Sequence, residues 1–207
     1  MEGKMNSIEI GRLLRASTTG CVVGCRVSQL DAPVFGGMVS IPLDGDRKVY
    51  GLIYDIQIAD DGLVRQLVTA EGIASEVIED NRRNRNVPVE ISVLFIGYTD
   101  GQEFHHMLPP RPPLSLDAIY PCGEKEICEF TSHGRFAYLR HILRDIELPT
   151  AEILSSHIQQ VGRIQLKTGN KAWAKDVTQE LITLLRDDYA TLNTVLNALS
   201  DLDVFPV

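Results

Sequence analysis

The chain contains no apolar run near the roughly 20 residues that a membrane-spanning helix needs. Its N-terminus, MEGKMNSIEIGRLL, lacks the apolar centre of a secretory leader. These absences predict a cytoplasmic protein with no membrane partner. An excess of basic charge is missing too. The 207 residues carry 20 Lys+Arg against 28 Asp+Glu, a net charge of −8. Residues 1–113 hold 11 basic and 15 acidic side chains and residues 114–207 hold 9 and 13, so each half is −4. Neither half reads as a general polyanion-binding domain, although a local basic patch remains compatible with these sums.

The motifs of the common catalytic classes are absent as well. Thr168-Gly169-Asn170-Lys171 lacks the upstream glycine and the closing Ser/Thr of a phosphate loop. No GxGxxG follows a strand, and neither HExxH nor a GxSxG elbow occurs. Carboxylates are plentiful, but none is paired in a pattern that singles out an acid and a base. The four cysteines, Cys21, Cys25, Cys122 and Cys128, form no CxxC pair. They read as reduced, mostly buried thiols. A zinc site built from Cys122, Cys128 and a histidine is the alternative. The expectation is a protein without catalytic residues, metal or cofactor. An unrecognised enzyme site would draw on Asp55, His105 or His106 at a barrel end. Asp55 reads as outward-facing or at a strand end, since an inward carboxylate needs partners. His105 and His106 are adjacent, so on a strand they face opposite ways and serve joint chemistry poorly.

What is present is ordinary globular material, 44% hydrophobic and 23% charged. The clearest local pattern is Leu30–Ile56. There Met38–Leu43 and Lys48–Ile56 read as strands joined at Asp44-Gly45-Asp46, and Asp-Gly between apolar runs is a hairpin signal. Ile8–Ser17 reads as a first strand with a bend or close approach at Gly11. Cys21–Leu30 reads as the second, and Leu63–Thr69 as a short fifth. Glu71–Arg85 fits a short amphipathic helix on Ile73, Val77 and Ile78. It ends in the densest basic cluster of the chain, Arg82, Arg83 and Arg85. Two readings of that cluster stand: a solvated helix end that suits the dipole, or a contact with a phosphate backbone or acidic partner. Val87–Tyr98 is the strongest strand, and Thr99-Asp100-Gly101 turns it into Gln102–Leu108.

Pro109-Pro110-Arg111-Pro112-Pro113 reads as a stiff boundary, or as a docking motif for a proline-reading domain. Leu114–Thr131 reads as irregular. From Ser132 onward the periodicity is helical, in four apolar stripes. These are Phe136/Leu139/Leu143/Ile146, Ile153–Ile164, Trp173–Leu185 and Leu192–Leu199. Asp187-Asp188 either divides the last two stripes or bends one long helix. His157 falls on its apolar stripe and reads as a satisfied core histidine. The predicted fold class is therefore α+β. A small N-terminal β-barrel of about six to seven strands with one short helix spans 1–113, a linker spans 114–131, and a bundle of three to four helices spans 132–207.

The run IEIGRLLRASTTGCVVGCRV, the bend, GGMVSIPL, RKVYGLIYDI, and VEISVLFIGY before a proline-rich exit resembles the HAS barrel. This small β-barrel is shared by HerA-type DNA translocases and the catalytic subunits of rotary ATP synthases. Its carriers are Ile10-Gly11-Arg12, Gly37 through Ile41, and Val49-Tyr50-Gly51-Leu52-Ile53, and it covers residues 7–113. In those ATPases a motor with a phosphate loop follows the barrel, whereas here about 75 residues of helix follow. No family catalytic residue can therefore be placed. The resemblance implies a barrel that forms or caps a ring and docks proteins, as HerA-type barrels dock a nuclease. The function expected is a non-catalytic assembly or adaptor protein, a homo-oligomer docking a protein partner such as a separately encoded ATPase or nuclease. The alternative is an accessory factor in DNA processing that contacts nucleic acid through Arg82, Arg83 and Arg85.

Overall fold

The computed structural model describes residues 8–26, 33–59, 62–84, 88–101, 103–144 and 148–200. Seven strands form one sheet: β1 (Gly11–Ala16), β2 (Gly20–Cys25), β3 (Met38–Pro42), β4 (Lys48–Gln57), β5 (Val89–Asp100), β6 (Glu103–His105) and β7 (Ala118–Pro121). The order β2-β1-β7-β3-β4-β5 closes on itself because β2 also pairs with β5. Six strands therefore make a closed barrel in which every strand has a neighbour on each side. The seventh, β6, lies outside it. One edge of β5 pairs with β2 from Val89 to Leu94 and with β6 from Tyr98 to Asp100.

The opening hairpin has the expected register, with Met38 opposite Leu52 and Pro42 opposite Lys48. Gly45 and Asp46 both take positive φ, 70° and 58°, as a tight Asp-Gly turn requires. Gly11 is a close approach: a Cβ there would overlap the Gly24 carbonyl oxygen of β2. Two register shifts between β4 and β5 bend the strands toward closure.

Two differences from the sequence reading lie in the barrel half. Residues 63–69 belong not to a strand but to helix α1 (Gly62–Thr69), which is followed by α2 (Ser75–Arg83). No edge was open to a fifth strand there, since β3 and β5 already occupy both sides of β4. Leu63, Val64, Leu67 and Val68 also recur with helical period. Secondly, the stretch 114–131 is not irregular. It holds β7 and α3 (Glu124–Ser132). β7 returns past the proline run to close the barrel between β1 and β3.

The remaining helices are α4 (Leu139–Leu143), α5 (Thr150–Lys167), α6 (Trp173–Leu184) and α7 (Tyr189–Ser200). Seven α-helices among the described residues exceed the four or five anticipated, because α1 and α3 were read otherwise. Ile146 of the first stripe lies outside the described residues. Thr168-Gly169-Asn170 ends α5 in a Schellman turn. Gly169 has φ of 89°, Asn170 N–H donates to Gln165 O at 2.9 Å, and Gly169 N–H donates to Leu166 O at 3.0 Å. The two aspartates divide α6 from α7. Asp188 Oδ1 accepts Thr191 N–H at 3.1 Å, and this bonding holds its carboxyl below the usual range.

The described residues form two apolar cores. One fills the barrel with Ile10, Leu13, Val23, Val39, Ile41, Val49, Ile53, Ile91, Val93, Phe95 and Ile119 among others. The other joins Met38, Tyr50, Leu52, Leu94 and Ile96 on the outer face of β3–β5 to the helices. Strand β5 is thus buried on both faces, which is why its sequence is nearly continuously apolar.

Candidate functional site

The α1–α2 excursion leaves the barrel between β4 and β5. Neither helix contains a buried residue. On α1, Leu63, Val64, Leu67 and Val68 form one apolar arc, and on α2 Val77 and Ile78 do the same, with Ile73 a turn earlier. Val68 is 79% exposed, Val77 43% and Ile78 45%. A helix this short gains little from its own backbone hydrogen bonds, so its apolar face is what ordinarily holds it. Here Leu63, Val68, Val77 and Ile78 are exposed, while Val64, Leu67 and Ile73 are half-buried. Arg82 and Arg83 lie exposed in the last turn of α2, as the helical reading anticipated. Arg83 Nη2 lies 2.6 Å from Glu79 Oε1, and Glu76 and Asp80 share the helix. Arg85, the third member of the basic cluster, falls outside the described residues. The apolar arc of α1 escaped the sequence reading because alternation of Leu63, Arg65, Leu67 and Thr69 imitates a strand; the pairs Leu63/Val64 and Leu67/Val68 were the signal against it.

A cleft of about 1130 Å³ opens where α3 meets β4. Gly123 is the N-cap of α3, and Glu124 and Glu126 in its first turn complement the helix dipole. Glu126 Oε1 accepts both Lys48 Nζ at 2.6 Å and Tyr50 Oη at 2.9 Å. Burial raises the Tyr50 phenol, and the Glu126 carboxylate raises it further. Burial first, then Glu126, also raises the Cys122 thiol well above its usual value. Such a thiol is protonated at neutral pH and is a poor nucleophile. The three side chains act as a brace that ties α3 to the barrel. Cys128 lies elsewhere, its Sγ 3.5 Å from Thr168 Oγ1. Among the described residues no group of three or more potential metal ligands gathers. Cys21 and Cys25 both lie in the barrel core, and burial pushes the Cys21 thiol up to about 12.

The histidines divide as their spacing implied. His105 stacks on Tyr98 with ring centroids 4.8 Å apart, while His106 turns inward and is buried. His106 Nε2 donates to Phe130 O at 3.1 Å. Its carbonyl accepts Arg140 Nη2 at 2.6 Å and His141 Nε2 at 3.2 Å. His157 is fully buried and doubly bonded: Nδ1 donates to Gly36 O at 3.2 Å, and Nε2 accepts Tyr138 Oη at 3.0 Å. Burial lowers both His106 and His157 to about 4. They are neutral interface pins between barrel and helices. Asp55 is exposed beside a bulge of β4, away from these groups.

Pro109 and Pro113 are buried and the run between them crosses the barrel end near Arg47 and Tyr98. It carries the chain from β6 to β7. No helix among the described residues is long and apolar enough to cross a membrane.

The architecture defines the class: a closed six-stranded β-barrel with an outer helical layer on β3–β5 and a two-helix excursion without buried residues. No protein-family model matches the chain, and no curated protein does either.

Proposed function

We propose that the protein is a non-catalytic assembly or adaptor protein that self-associates and docks partner proteins through its barrel. One observation carries this reading. The barrel extends a pair of amphipathic helices, α1 and α2, that contain no buried residue and leave Leu63, Val68, Val77 and Ile78 exposed. Exposed apolar arcs on adjoining elements are the usual mark of an interaction surface. The strand pattern that resembles HAS barrels points to the same role, with an ATPase or nuclease as the partner class.

The brace of Lys48, Tyr50 and Glu126 agrees with this reading, since its polar groups are spent on one another. The rival role, DNA contact through Arg82, Arg83 and Arg85, has weaker support, because Glu76, Glu79 and Asp80 share the helix with Arg82 and Arg83. Light scattering across micromolar concentrations tests the proposal. Oligomers are expected, and a monomer at every concentration would sink it. For the rival, a salt-dependent mobility shift with duplex DNA, lost in Arg82→Ala/Arg83→Ala/Arg85→Ala, is the discriminating result.

A further inference from the structure

We propose that residues 133–136 form a strap closed over His106, and that protonation of this histidine opens the strap while the barrel and the helices stay folded.

His106 is 6% exposed, and its Nε2 proton goes to Phe130 O. Nδ1 therefore carries a lone pair. This buried atom has no hydrogen-bond partner among the described residues. The strap lies against it. A Cβ on Gly134 would sit 3.0 Å from His106 Nδ1, and the His133 ring is T-shaped to the His106 ring at 5.8 Å between centroids. A proton added at Nδ1 would be a buried donor without an acceptor. The surroundings also oppose the charge. Burial does so first, and then His133 from the strap and Arg140 and His141 from α4. Helix α3 presents the Phe130 ring and carbonyl, while its carboxylates Glu126 and Glu129 line the cleft beside β4. His105, at the end of β6, is stacked on Tyr98. Arg135 of the strap lines a cleft with Asp176 and Glu180 of α6.

Of the groups around the ring, the strap is the one able to yield. Phe130, Tyr138 and His141 belong to the buried interior, whereas His133, Gly134 and Arg135 are exposed. Gly134, Arg135 and Phe136 take left-handed φ values of 57°, 49° and 59° in succession. Residues with a Cβ are strained there, and two of these three have one. Two long backbone bonds close the strap: His133 N–H donates to Phe130 O and Ala137 N–H to Gly134 O, both at 3.2 Å. Opening relieves the left-handed backbone and brings water to His106 Nδ1. It gives up the contacts of Phe136 with Trp173, 5.8 Å between ring centroids, and of His133 with Phe104, at 6.0 Å. A charged His106 gains the solvation that the closed strap denies it.

Hydrogen exchange on the full chain tests this at the His133 and Ala137 amides, as protection factors referred to the intrinsic exchange rate at each pH. His106 is lowered to about 4 with the strap closed, against 6.5 when solvated. The closed-state value is the lower one, so added protons favour the open strap. The opening constant should therefore rise about 30-fold between pH 7.5 and pH 5. At every pH both amides should stay less protected than the slowest amides of β5, because the strap opens without the barrel. His106→Gln keeps an amide donor for Phe130 O but does not titrate, and it should abolish the rise. Circular dichroism verifies that this variant folds. Should it not fold, the His106 imidazole resonances of the wild type decide, and they should report an unprotonated ring at pH 5. Strap protection that is independent of pH overturns the proposal, and so does a rise that persists in His106→Gln. Strap amides as slow as those of β5 would mean that His106 is uncovered only by unfolding of the whole chain. A His106 ring that titrates near 6.5 under a protected strap would mean that the closed form accepts the charge. Either result removes the strap.

Discussion

His157 sits where the barrel and the helices meet, and its hydrogen bonds fix its protonation state. The Gly36 carbonyl can only accept, so Nδ1 carries the proton and Nε2 receives the Tyr138 hydroxyl. A second proton on Nε2 would reverse the Tyr138 bond, leave the Tyr138 hydroxyl hydrogen without its acceptor, and place a charge in an apolar core. Burial therefore lowers His157 from 6.5 to about 4. His106 is lowered to about 4 too, by burial and then by neighbouring His133, Arg140 and His141. Burial also lowers His141. The sign follows from linkage: a folded-state value below the unfolded one favours the unfolded chain as protons are added. Stability is fully held above pH 6.5 and is lost as pH falls toward 4. The cited values correspond to about 3 kcal/mol for each of His106 and His157. The denaturant midpoint should therefore drop between pH 7.5 and pH 5. His157→Leu should cost about 1–3 kcal/mol at pH 7.5, because Tyr138 and Gly36 lose a buried partner, and should flatten the acid dependence. An unchanged acid slope in that variant would mean that other groups govern it.

The bend that receives this histidine is an element-scale feature. Gly36 has φ of 73°, and its N–H donates to Ile53 O at 2.7 Å. Helix α5 clamps the bend from the other side. Ser156 Oγ donates to Phe35 O at 2.8 Å, and Gln160 Nε2 donates to the same oxygen at 2.9 Å. A Cβ on Gly36 would lie 2.8 Å from Ser156 Oγ and 2.9 Å from the His157 nitrogen. Gly36→Ala should destabilise by about 1–3 kcal/mol, combining left-handed strain with displacement of α5, and a thermal melt measures it. The excursion α1–α2 is the opposite case. Replacing 60–87 with a short Gly/Ser turn should change stability by about 1 kcal/mol or less, since no residue of either helix is buried. A large loss in denaturant melts would show that the helices support the barrel. These two elements also mark how far the sequence could be read. The hairpin, β5, the bend and α5–α7 were legible, because turn residues and periodicity agree there. Strand β7 was not. Four residues between breakers carry no period, and what makes them a strand is the open edges of β1 and β3. For α3, Pro121 and Gly123 masked the Ile127/Phe130/Thr131 face that a helical period would have revealed. On the excursion, the position of Arg82 and Arg83 at the end of a helix was legible, but the apolar arc of α1 was hidden by the strand reading.

At the scale of the whole molecule, the proline run does not mark where the barrel is complete. Residues 118–121 lie beyond it and pair with Gly11 and Arg12 on one side and with Val39 and Ser40 on the other. A chain ending at residue 113 would lack β7, leaving the edges of β1 and β3 unpaired around an apolar interior. Open edges beside exposed core residues favour aggregation over folding. A chain ending at residue 122 would close the barrel, yet it would expose Met38, Tyr50, Leu52, Leu94 and Ile96, which the helices bury. The prediction is a graded one. The full chain should unfold in a single cooperative transition, because the outer face of β3–β5 belongs to the same core as α3–α7. The 1–122 piece should retain strand circular dichroism while binding an apolar dye strongly. The 1–113 piece should give neither dispersed amide resonances nor a cooperative melt. A well-dispersed spectrum from 1–113 would show that five strands suffice, and that β7 decorates a barrel it does not complete.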